Sequence, residues 1–77
     1  MAQYARQFFF LVCMEYDEYT IPLKVFLDEY QAISYGRKRA TKAEKEGFIG
    51  TEFSLYKQEI THAGTMSKIK TLDPYKS

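Results

Sequence analysis

The sequence contains no asparagine, one cysteine, one histidine, two prolines and four glycines in 77 residues, and each scarcity closes a class of function. Without asparagine there is no N-glycosylation acceptor, and there are none of the Asn-Gly dipeptides that mark tight hairpins. Cys13 stands alone, so neither an intramolecular disulfide nor a multi-cysteine metal centre is available. A reducing, cytoplasmic setting suits such a chain. Gly36, Gly47, Gly50 and Gly64 are scattered and build no phosphate-cradling loop. The longest apolar run, residues 8–14, has seven residues, where a membrane-spanning helix needs roughly 20. Glu15, Asp17 and Glu18 follow it in place of a small-residue cleavage site, so neither a signal peptide nor a membrane partner is expected. An excess charge of one sign is also missing: eleven Lys and Arg against ten Asp and Glu leave a net +1. No global field draws the chain to nucleic acid, and any electrostatic function must come from local clusters.

What is present is the composition of a folded domain, with 45% hydrophobic, 17% aromatic and 27% charged residues. Residues 1–77 are enough for one small domain and not for two. Residues 7–16 carry large apolar groups on both alternating faces, Phe8, Phe10, Val12 and Met14 on one and Phe9, Leu11 and Cys13 on the other. That pattern predicts a central strand covered on both sides. Thr20-Ile21-Pro22 resembles a capped helix start. Leu23, Phe26, Leu27, Tyr30 and Ile33 then fall at helical spacing, which predicts a helix over 21–35 closed by Gly36. Residues 37–47 hold no apolar side chain beyond Ala40 and Ala43, so a solvated charged connector is expected, with at most a short helical turn ending at Gly47. Residues 48–60 fit a strand or a helix, with a strand favoured by the break at 61–64 and the β-branched stretch 65–72 behind it. The expected fold is α+β, in the order β-α-β-β, with a three-stranded, mostly antiparallel sheet and one main helix on one face. One helix covers only one face, so the second needs the chain ends, the segment 48–60, a partner, or another copy in a homodimer.

Reactive constellations are hard to find. His62 lies in a turn-like stretch without a second histidine or a cysteine, which reads as an exposed turn residue and not as a metal ligand. Cys13 sits between Val12 and Met14, where burial raises a thiol pKa and makes it a poor nucleophile. Glu15, Asp17 and Glu18 lack the glycine and later glutamate of a calcium loop. No cofactor, no metal and no catalysis are expected.

Two charged clusters remain. Glu15, Tyr16, Asp17, Glu18 and Tyr19 precede the expected helix, while Arg37, Lys38, Arg39, Lys42 and Lys45 follow it. The helix dipole favours that arrangement, yet it does not require so many charges. At 1.5 Å per residue the clusters would stand roughly 20 Å apart at opposite helix ends, making the molecule bipolar. These ten residues are the expected partner-binding surface. Carboxylates with tyrosines imitate nucleic-acid phosphates in a basic groove. The expected function is therefore a non-catalytic protein-binding module. It would be a small inhibitor of phage or mobile-element type, in the style of anti-CRISPR or anti-restriction proteins, blocking a host nucleic-acid-handling complex by surface occupation. The alternative is nucleic-acid binding through 37–45, extended by Lys57, Lys68, Lys70 and Lys76.

Overall fold

A computed structural model describes residues 8–59 and 66–76 of the chain. Strand β1 is Phe8–Tyr16 and β2 is Tyr19–Phe26, followed by the helix α1 at Glu29–Lys45. Strands β3, Thr51–Glu59, and β4, Ser67–Thr71, complete a four-stranded sheet of order β2-β1-β3-β4 in which every pairing is antiparallel. The α+β class with one helix on an antiparallel sheet holds. The count and order do not: among the described residues there are four strands instead of three, arranged β-β-α-β-β.

The difference begins at residues 19–26, expected to open the helix and found as β2. Pro22 is compatible with either element, because it lacks an amide hydrogen whether it begins a helix or lies in a strand. On an edge strand that lack is tolerated. Pro22 sits opposite Cys13 where the β1–β2 register shifts between Val12 and Cys13, a bulge that relaxes the ladder locally. Only Asp17 and Glu18 separate the two strands, with Tyr16 paired to Tyr19. Asp17 takes φ 58°, the left-handed conformation that aspartate tolerates better than most residues.

The helix starts at Glu29 because Asp28 caps it, its carboxylate accepting the Gln31 backbone N–H at 3.0 Å. Leu27 and Tyr30, expected on the buried helical face, are 75% and 82% exposed. Helix α1 then runs through Gly36 and across most of the supposed connector at 37–47. Ala32, Gly36 and Ala40, four residues apart, form a buried stripe of small residues that lets the helix approach the sheet closely. A Cβ at Gly36 would lie 2.1 Å from Leu72 Cδ1, so this glycine serves proximity and does not end the helix. Gly47 ends it, at φ 78°. Its N–H donates to Glu44 O at 3.1 Å and the Phe48 N–H donates to Ala43 O at 3.0 Å, the paired bonds of a Schellman closure.

The core lies between α1 and one face of the sheet, where Phe10, Val12, Phe53 and Leu55 meet Ala32, Ala40 and Leu72. The stretch 7–16, expected as a central strand, forms β1 from Phe8 onward and lies between β2 and β3, with α1 covering one of its faces, and β3 and β4 fall inside the stretches 48–60 and 65–72. His62 and the break at 61–64 lie outside the described residues. Strand β2 leads away from the 17–18 turn, α1 returns, and β3 begins at Thr51 opposite Tyr16. The C-terminal half of the helix therefore lies at the hairpin end of the sheet.

Candidate functional site

Alternation along β1 parts Glu15 from Tyr16, because consecutive strand residues face opposite sides. Glu15 points away from α1, where its carboxylate accepts hydrogen bonds from Ser54 Oγ, from Lys68 Nζ at 2.9 Å and from Tyr56 OH at 3.2 Å. The bonds from Ser54 and Lys68 hold its carboxyl below the ordinary carboxylate range, against the opposing pull of burial. Its contact raises the Lys68 ammonium above the usual lysine range, and burial followed by the neighbouring carboxylate raises the Tyr56 phenol. The result is an anion already matched by a cation and two hydroxyls, tying together β1, β3 and β4. Such a cluster has little capacity left to take a proton from a substrate. Beneath it, burial pushes the Cys13 thiol up, which keeps it a weak nucleophile.

Tyr16 faces the helix side. Together with Phe48 it walls a groove of about 450 Å³ between the hairpin and the C-terminal half of α1. Met14, Ile21 and Phe53 supply apolar surface from three strands, and Ala43 supplies it from the helix. Arg39, Lys42 and Glu46 line the helix side. Tyr16, Phe48 and Ile21 are 54%, 61% and 42% exposed, so the groove opens to solvent. Asp17, Glu18 and Tyr19 at the hairpin tip are exposed as well.

The ten expected site residues are thus redistributed. They do not sit at opposite ends of a helix some 20 Å apart. The hairpin that carries the acidic stretch and the half-helix that carries the basic one meet at one end, where Tyr16, Arg39 and Lys42 line the same groove. Arg37 turns to the other flank. Its Nε donates to Asp73 O at 3.2 Å, and its guanidinium lies 4.2 Å from the centre of the Tyr75 ring. Thr41 Oγ1 donates to Arg37 O at 2.7 Å and accepts the Tyr75 N–H at 2.8 Å, so this pair fastens the C-terminal stretch to the helix. Lys38, Lys42 and Lys45, spaced four and three apart, are exposed and share the outer face of α1. Among the described residues, Asp17, Glu18, Arg39 and Lys42 have no ion-pair partner.

Met14, Ile21, Phe48 and Phe53 were not singled out as site residues from the sequence. They come from β1, β2, β3 and the loop after α1, and no linear spacing connects them. The one local signal was Phe48, a large apolar residue directly after a helix-closing glycine. Compared with known proteins, the chain matches no family, no curated protein and no solved structure.

Proposed function

We propose that the protein is a non-catalytic protein-binding module that works by occupying a partner's surface with its hairpin end. The observation that supports this reading is the open apolar groove lined by Arg39 and Lys42, with Asp17 and Glu18 at the neighbouring hairpin tip, four charges without an ion-pair partner among the described residues. Exposed aromatic side chains beside an apolar hollow, rimmed by charge, have the make-up of a recognition surface. Tyrosine and phenylalanine there bring wide contact area with few rotatable bonds.

Within this class, inhibition of a nucleic-acid-handling complex by phosphate mimicry falls to Asp17 and Glu18. Glu15 is turned to the far face and neutralised there by Lys68. A second reading, nucleic-acid binding, is favoured by the outer-face alignment of Lys38, Lys42 and Lys45.

Affinity capture from a host lysate, with protein and nucleic acid both quantified, separates the two. The protein-binding reading expects specific proteins retained by the wild type and lost with Tyr16→Ser/Phe48→Ser, while Lys38→Ala/Lys45→Ala retains them. Capture of nucleic acid alone, abolished by Lys38→Ala/Lys45→Ala, rejects it in favour of the second reading.

A further inference from the structure

We infer that the groove takes an acidic peptide segment of the partner, with a bulky apolar side chain seated between α1 and the hairpin and two nearby carboxylates on Arg39 and Lys42. This inference rests on the protein-binding reading above and names the chemistry of that partner. The hollow of about 450 Å³ falls within the roughly 300–1,000 Å³ of ligand-sized sites. Its apolar floor of Met14, Ile21 and Phe53 offers a bulky side chain a place out of water.

The charges then select what accompanies that side chain. Arg39 and Lys42 are three residues apart on a helix, which sets their Cβ atoms roughly 5–6 Å from each other. Carboxylates on alternate residues of an extended chain stand roughly 7 Å apart and face the same way. The difference of about 1–2 Å is within what the long, flexible Arg39 and Lys42 side chains can span, and Arg39 can grip one carboxylate with two parallel hydrogen bonds. Neither cation has an internal ion-pair partner to give up among the described residues.

Two anionic features narrow the choice further. Glu46, one turn beyond Lys42, lines the same groove and repels a third carboxylate there. Asp17 and Glu18 repel acid at the hairpin tip, so the acidic part of the segment is confined to the helix side. A rim of two cations and one carboxylate suits a chain with several polar groups. A single-headed amphiphile such as a fatty acid uses only part of it.

The test is selection of a random displayed peptide library on the full-length protein, followed by affinities of the enriched peptides for two variants. Arg39→Glu/Lys42→Glu reverses the charge, and Ala43→Leu narrows the groove without changing charge. The expected result is enrichment of peptides with a large apolar residue next to two carboxylates. Charge reversal should weaken them by about ten-fold or more, as two lost exposed pairs plus repulsion require, and should itself select Lys- or Arg-bearing peptides. Ala43→Leu should weaken both sets. The inference is overturned by enriched peptides without an acidic bias, by affinities indifferent to charge reversal, or by no enrichment at all. It is equally overturned if dodecanoate, but no peptide, shifts the amide resonances of Met14, Phe48 and Phe53, or if the groove is closed by a second copy in a stable dimer. A lysate partner lost with Tyr16→Ser/Phe48→Ser but retained by Arg39→Glu/Lys42→Glu would remove this inference and leave the protein-binding reading standing.

Discussion

Replacing Gly36 by alanine changes sign with its neighbour, and this tests the packing of α1 most directly. In an exposed helix interior the substitution stabilises by about 1 kcal/mol, because alanine loses less backbone entropy than glycine. Here the new Cβ would lie 2.1 Å from Leu72 Cδ1 and 3.3 Å from its Cγ, and Leu72 is only 3% exposed. The Leu72 backbone is also pinned, its N–H donating to Phe53 O at 2.7 Å, so the side chain must find another rotamer inside a packed core. Overpacking of that kind costs about 1–3 kcal/mol. Gly36→Ala should therefore destabilise by about 1 kcal/mol net. Leu72→Ala alone should cost about 2–5 kcal/mol. Once Leu72 is truncated, its nearest remaining side-chain atom is Cβ at 3.4 Å, an ordinary contact. In that background Gly36→Ala should stabilise by about 1 kcal/mol, a coupling of about 2 kcal/mol between the two sites. The assay is urea unfolding followed by far-ultraviolet circular dichroism on all four proteins. A common stabilising osmolyte keeps the weakest of them folded, since a chain of this size holds only about 4–12 kcal/mol in total. The same sign for Gly36→Ala in both backgrounds would refute the contact as described.

Three further outcomes are expected. Asp28→Ala should cost about 1 kcal/mol while Asp28→Ser costs little, because serine also accepts the Gln31 N–H; equal losses in urea unfolding would show that the cap is not what starts the helix. The lowered pKa of Glu15 means that its contribution is complete above the ordinary carboxylate range and is lost as pH falls through its folded value. The acid-side decline of the urea midpoint should accordingly be shallower in Glu15→Gln than in wild type, and identical slopes would contradict the bonds from Ser54 and Lys68. Burial raises the Cys13 thiol, so an aromatic disulfide reagent should label it only along the unfolding transition; prompt labelling of the folded protein would place Cys13 at the surface.

The parts of the fold legible in the sequence were those where one physical demand dominates. Residues 8–14 had to be an interior strand because both alternating faces are apolar, and β1 is that strand. The helix was misplaced because two signals competed. Thr20 and Pro22 mimic a cap and first turn, while the true start was written in Asp28 and Gln31, the spacing of a capping box. Its end was misjudged for a different reason. Gly36 was read by its backbone freedom, whereas its role is set by Leu72, thirty-six residues further on, which no local pattern reveals. Residues 37–47 looked solvated because a count of large apolar side chains misses what small residues contribute. Ala40 is buried and Ala43 half-buried, and both act by letting backbone approach backbone.

The same error in helix placement hid the site. A helix over 21–35 puts the acidic and basic clusters at its two ends and makes the dipole their explanation. With the hairpin restored, the acidic residues occupy the turn between β1 and β2 and the basic residues ride the second half of a helix that runs back toward it. Alternation then removes Glu15 to the far face, and helical spacing removes Arg37 to the C-terminal stretch. Arg39 and Lys42 remain beside Tyr16 with no ion-pair partner among the described residues, next to apolar surface drawn from three strands and the loop after the helix. Capping the helix and tying β4 to the sheet use Asp28 and Glu15, and fastening the C-terminal stretch uses Arg37. Neither Arg39 nor Lys42 is engaged in any of these tasks, which is why the case for binding rests on the groove and no longer on the charge clusters as the chain lists them.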